Sequence, residues 1–140
     1  MPTLFTRIIE GELPATFVWK DPECVAFLSI NPIQPGHTLV VPRAEVDHWI
    51  DLDPRVMEHV VSVAQTIGQG LDRAFGAPRV GLEIAGFEIP HVHLHVLPIR
   101  NEADLHLANS ARSVDPDDLA AAGERLRAAL RELGAEHVSD

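Results

Sequence analysis

Apolar positions along this chain follow two periods, and the change from one to the other marks out its elements. Between Pro90 and Pro98 the alternation is strict: His91, His93 and His95 form one row, and Val92, Leu94 and Val96 the other. Successive side chains of an extended strand point to opposite faces, so this run predicts a half-buried strand with an aliphatic core face and an imidazole face. The flanking prolines suit strand ends, because proline cannot donate to a ladder. From Asp53 the period lengthens. Val56, Val60, Val63, Ala64, Ile67, Leu71 and Phe75 recur at three and four residues. With Asp53 as cap, Pro54 at the first helical position and Gly76 as stop, they predict a long amphipathic helix over one face of a sheet.

The remaining elements follow in chain order. Phe5, Ile8 and Ile9 have helical spacing before Gly11, which predicts a short helix. Thr16–Lys20 and Cys24–Ile30 read as strands joined by the Asp21-Pro22-Glu23 turn. A Pro- and Gly-punctuated loop, 31–36, delivers His37–Arg43 as a third strand, and Arg79–Ile84 is a fourth. His37 sits where a loop meets a strand, a usual position for a side chain that serves a site. The stretch 100–113 is polar and without period. After Asp115-Pro116, the spacing of Leu119, Ala122, Leu126, Ala129, Leu130 and Leu133 predicts a closing helix that ends at Gly134, with the last six residues loose. His59 is expected on the solvated flank of the long helix. Glu45, Asp47 and His48 are expected in water, and Trp19 and Trp49 in the core. These elements predict an α+β domain: a mainly antiparallel five-stranded sheet, one long helix between strands, a short N-terminal helix and a C-terminal helix.

Composition narrows the function classes. The chain has 140 residues, which suits one domain, numbered 1–140, with its core over about 4–100 and a helical extension over about 115–134. A formal charge of −10 argues against a nucleic-acid polymer as partner. Cys24 is the single cysteine, so no intrachain disulfide is expected and a reducing cytoplasm fits; no run is long enough for a membrane span.

Three imidazoles on one strand face are costly unless used, because charging them together creates repulsion and burying them unpaired leaves polar nitrogens unsatisfied. One use is phosphoryl chemistry, with a neutral imidazole as nucleophile and its neighbours donating to phosphate oxygens. Another is metal binding, since alternate histidines of a strand reach one ion, though such a site also wants an acidic supporting layer. No carboxylate stands at motif spacing beside the row, and Glu88 lies three residues before His91 in a turn.

His91-Val92-His93-Leu94-His95-Val96-Leu97, with His37 and the segments Ile8 to Pro14, Val25 to Pro32 and Pro35 to Pro42, resembles the histidine triad family. The resemblance covers roughly residues 4 to 100. It implies a small homodimeric α+β protein that hydrolyses or transfers nucleoside monophosphates through a covalent nucleotidyl-histidine intermediate, with no metal or other cofactor required. By the family pattern His93 attacks the α-phosphorus, while His91, His95 and His37 orient it and contact phosphate oxygens. Ser29, Ile30, Asn31 and Phe87 fall on the substrate side. Two of these depart from the pattern: Ser29 stands where an acidic or amide residue grips the ribose, and Phe87 where a polar residue, often Gln, holds the phosphate or leaving group. The loop 82–86 before the triad is short for the family. Thr3 and Thr6 replace a Cys-x-x-Cys half-site, so the structural zinc of some bacterial members is expected to be absent. The alternative that these departures imply is a nucleotide- or phosphate-binding dimer with little or no catalysis.

Overall fold

The computed structural model describes residues 1–140. In chain order the elements are α1 (Leu4–Ile9), β1 (Phe17–Lys20), β2 (Cys24–Leu28), β3 (Thr38–Pro42), α2 (Pro54–Phe75), β4 (Arg79–Glu83), β5 (Leu94–Ile99) and α3 (Pro116–Glu132). The five strands form one antiparallel sheet in the order β1-β2-β3-β5-β4. Asp53 caps α2 by accepting from the Arg55 amide, Pro54 opens the helix, and Gly76 closes it at φ +63°, a left-handed conformation that suits glycine.

The two sheet faces divide the core. Ala26, Leu28, Val40, Leu94 and Val96 pack under α2, which presents Val60, Val63, Ala64, Ile67 and Leu71. Phe27, Leu39 and Val41 face the other way, toward Phe5 and Ile8 of α1. The helix α3 lies against α2 at a close approach: a Cβ added to Gly70 would stand 2.7 Å from the Leu130 side chain. No helix is long and apolar enough to cross a membrane.

The histidine run departs from the expected strand. Its regular pairing begins only at Leu94, opposite Val40, and His91 to His93 precede it. The reason lies in the partner strand. Continued register would set Val41 opposite His93 and then Pro42 opposite Val92; proline has no N–H to give there, its carbonyl is taken by the His91 ring, and the Val92 amide goes to the Val46 carbonyl instead. The aliphatic row nevertheless enters the core as its period requires: Val92, Leu94 and Val96 are all buried. Pro98 is also inside β5 rather than beyond it, opposite Val80, where pairing with β3 has already ended at Val96.

Four other expectations change. The last six residues are not loose, because Val138 bridges Trp19 while His137 and Ser139 exchange backbone hydrogen bonds with Lys20 and Val18. This tail covers the free edge of β1, which would otherwise offer unpaired backbone groups. Trp19 is buried as expected, but Trp49 is 44% exposed, in a short 3-10 turn at Trp49–Asp51. The aperiodic stretch 100–113 holds two further 3-10 turns, Glu102–Leu105 and Leu107–Asn109. His59 is only half exposed and bonds to the buried carboxylate of Asp21.

Candidate functional site

The face of the sheet away from α2 carries a cleft of about 720 Å³, within the roughly 300–1,000 Å³ usual for small-molecule sites. His37, His93 and His95 line it together with Ser29, Ile30, Asn31 and Phe87. Of the eight site residues expected from the sequence, only His91 lies behind the wall. It is fully buried, edge-on to Phe5. Phe5 also packs edge-on against the His93 ring, with centroids 4.9 Å apart, so α1 supports the nucleophile candidate directly.

Hydrogen-bond partners with fixed roles assign the ring protons from both ends of the cluster. The Ile33 amide donates to His37 Nδ1 at 3.1 Å, so the proton of the neutral His37 ring is on Nε2. That N–H donates to His95 Nδ1 at 2.9 Å, which puts the His95 proton on its own Nε2. His95 Nε2 is buried and has no protein partner. The second chain runs the other way. His93 Nδ1–H donates to the His91 carbonyl at 2.7 Å, leaving a lone pair on His93 Nε2. His91 Nε2–H donates to the Pro42 carbonyl at 2.8 Å, so its Nδ1 is an acceptor. The arrangement sets a bare ring nitrogen and a ring N–H, on residues two apart, beside one cleft.

Burial keeps all four rings neutral at pH 7. His37 is pulled down to about 4 by burial and then by nearby His93; His95 falls to about 3 by burial and the neighbouring His37 and His93. Burial also lowers His91 and His93, each opposed by its hydrogen bond to a carbonyl. Neutral imidazoles can attack a phosphorus or donate a hydrogen bond, while three adjacent cations could not share this space.

Sequence reasoning missed what holds His91. Thr3 Oγ1 donates to His91 Nδ1 at 2.7 Å, caps α1 by accepting from the Thr6 amide, and is linked through Thr6 and its own amide to Glu45. These two hydrogen bonds hold the exposed Glu45 carboxyl below its ordinary range. Thr3 and Thr6 thus form a hydrogen-bond anchor at the positions where thiolates were expected to be missing. Replacing Thr3 by Val removes the donor to His91 and the helix cap together. We expect a loss of stability of about 1 kcal/mol, with Thr3→Ser close to wild type; unfolding curves of the two variants check this.

The substrate-side residues are less free than their types suggest. Ser29 Oγ accepts from the Asn31 amide at 3.1 Å, and Asn31 Nδ2 donates to the Arg112 carbonyl at 2.9 Å. Phe87 is 97% exposed at the rim, following Gly86 in a left-handed turn. The segment Ser110–Arg112 closes the far wall, and Arg112 is the one cationic residue among those lining the cleft. Its place was not legible locally, because 100–113 carries no period.

A cluster of neutral imidazoles at a cleft on one face of an antiparallel sheet, with one long helix on the other face, defines a class of small α+β proteins built around a histidine triad. The HIT domain model matches residues 10–102, and the chain belongs to the HIT family. It is 35% identical over 140 residues to an uncharacterised HIT-like protein of Mycobacterium tuberculosis, covering 96% of this chain and 97% of that one. The crystal structure of a zinc-bound histidine triad family protein from Mycobacterium smegmatis matches with a TM-score of 0.80 at 30% identity, over 94% of this chain and 95% of that one. An adenylylsulfatase of Arabidopsis thaliana is 28% identical over 114 residues, 78% of this chain and 58% of that protein.

Proposed function

We propose that this chain is a nucleotide-binding hydrolase or transferase acting on the α-phosphate of a nucleoside phosphoramidate, a dinucleotide or a related phosphate ester. One observation carries the reading: the bond from His93 Nδ1–H to the His91 carbonyl leaves His93 Nε2 as a lone pair at the cleft, while His95 offers a buried, unpartnered Nε2–H on the same wall. His93 Nε2 attacks the α-phosphorus and the bond to the leaving group breaks, giving a nucleotidyl-histidine. The His95 Nε2–H offsets the charge that develops on the phosphoryl oxygens, and His37, whose own Nε2–H is given to His95 Nδ1, holds that ring in place. Water then cleaves the phosphorus–nitrogen bond, releasing nucleoside monophosphate and a proton and restoring neutral His93. No metal is needed for either displacement. The functional unit is a homodimer, as the family resemblance implies.

The Arabidopsis relative, named for cleaving an adenylyl sulfate, supports a nucleoside phosphate with a displaceable α-substituent as substrate class. A second reading, a nucleotide- or phosphate-binding dimer with weak catalysis, is favoured by Ser29 having only a single hydroxyl, which already accepts the Asn31 amide, and by Phe87 having no polar group. Incubation with adenosine and guanosine phosphoramidates and dinucleoside polyphosphates distinguishes the two. The enzyme reading expects nucleoside monophosphate release from at least one of them; nucleotide binding without release from any would favour the second.

A further inference from the structure

On the opposite face of the sheet from the cleft, three side chains of different chemistry converge. Asp21 lies in the turn after β1, Cys24 opens β2, and His59 projects from α2. Their ligand atoms, a carboxylate oxygen, Sγ and a ring nitrogen, all lie within 4.8 Å of one another. His59 Nε2 is 2.7 Å from Asp21 Oδ2, and Cys24 Sγ is 3.4 Å from the same oxygen. None of the three is used by the chemistry of the triad.

The carboxylate holds more donors than it has room for. Oδ1 accepts the Glu23 and Cys24 amides at 2.7 and 2.8 Å. Oδ2 faces three further donors: Trp19 Nε1 at 2.7 Å, His59 and the Cys24 thiol. A carboxylate offers about four lone-pair sites, two on each oxygen, so one of the three donors at Oδ2 is surplus. The backbone amides and Trp19 already fix Asp21, and Arg43 Nε binds its main-chain carbonyl at 2.8 Å. The two protons that point inward from His59 and Cys24 therefore occupy a point at which a cation would satisfy three ligands at once.

We infer that Asp21, Cys24 and His59 form a binding site for a divalent, borderline-soft metal ion of the zinc class. Nitrogen, sulfur and carboxylate oxygen together match the donor preference of such ions over calcium or magnesium. Binding replaces the thiol proton, which passes to solvent, and shifts the His59 ring proton from Nε2 to Nδ1. Trp19 Nε1 keeps its hydrogen bond to Asp21 and orients the ligand. The His59 side chain is 36% exposed, which gives an entering ion a path from solvent. The net charge of −10 favours cation uptake generally.

Titration of the chelator-treated protein with Co²⁺ tests the site, because a thiolate ligand gives cobalt a near-ultraviolet charge-transfer band that histidine and carboxylate do not. The expected result is that band at one ion per chain, displaced by Zn²⁺. It should be absent in Cys24→Ala and unchanged in His93→Ala, which separates it from ions held by the triad. His59→Gln alters a half-exposed side chain and should weaken binding by about tenfold or more, the scale on which metal sites answer loss of a single group. Wild-type protein without the thiolate band, or with a band and affinity that His59→Gln leaves unchanged, would overturn the assignment.

Discussion

Replacing His93 by Ala is expected to lower nucleoside monophosphate release by about a thousandfold or more, the scale on which removal of a covalent nucleophile acts, while nucleotide affinity changes little. The ring fills a position between Phe5 and His95, with centroids 4.9 and 5.0 Å away, so its loss leaves a local gap without disturbing the sheet. His93→Gln, closer in volume, should be as inactive, because an amide cannot form the phosphorus–nitrogen bond. Single-turnover kinetics with ligand binding measured in parallel separate the chemical loss from any loss of binding. Turnover retained within tenfold in both variants would remove His93 from the nucleophile's place.

The second large effect is on stability in acid. His37 and His95 titrate in the folded state at about 4 and about 3, against about 6.5 for a free imidazole. Between those limits the unfolded chain takes up protons that the folded chain refuses, so unfolding becomes easier as pH falls from about 6.5 and the effect saturates only below about 3. His37 alone, displaced by burial and then by nearby His93, sets a scale of roughly 3 kcal/mol across this window, from its displacement of between two and three pH units. Asp21 adds a later loss of the same sign. Burial would raise its carboxyl, but hydrogen bonds from Trp19, the Cys24 and Glu23 amides and His59 hold it well below the usual carboxylate range, so it contributes less once the unfolded carboxyl protonates near pH 4. Urea midpoints recorded between about pH 7.5 and 4 should therefore fall steadily. In a His37→Gln/His95→Gln double variant the slope between about pH 6.5 and 4.5 should be shallower, because those two positions no longer titrate. An unchanged slope would mean that the two rings do not carry the proton linkage.

What could be read from the sequence was local. Asp53, Pro54 and Gly76 act within a turn of α2, and its apolar stripe is a property of 22 consecutive residues, so the helix fell where expected. The alternation of Val92, Leu94 and Val96 likewise fixed which side of the run meets the core. What escaped depends on partners distant in the chain. Before β5 begins, the chain bonds to distant partners: the His91 ring to the carbonyl of Pro42, 49 residues earlier, and the Val92 amide to the carbonyl of Val46. The Thr3 bond to His91 spans 88 residues, and the His59 bond to Asp21 spans 38. The tail looked loose because its value lies in covering an edge of β1, and nothing in residues 135–140 announces that edge.

The same distinction applies to the site. His37, His91, His93 and His95 were recognisable as residue types in a pattern, but their protonation is set by the Ile33 amide, the His91 and Pro42 carbonyls and the Thr3 hydroxyl. Those fixed partners make two chemically identical side chains, His93 and His95, into an acceptor and a donor. Ser29 and Phe87 remain the residues at which specificity is expected to differ from relatives with a carboxylate and an amide there.

The most direct test of the account is to mix the protein with an adenosine phosphoramidate, quench within a turnover, and map the product by peptide mass spectrometry under conditions that preserve phosphorus–nitrogen bonds. One added nucleoside monophosphate group is expected, on His93 and absent from His93→Ala. Monophosphate released at the same rate with no adduct at any time, or an adduct on a different residue, would contradict it.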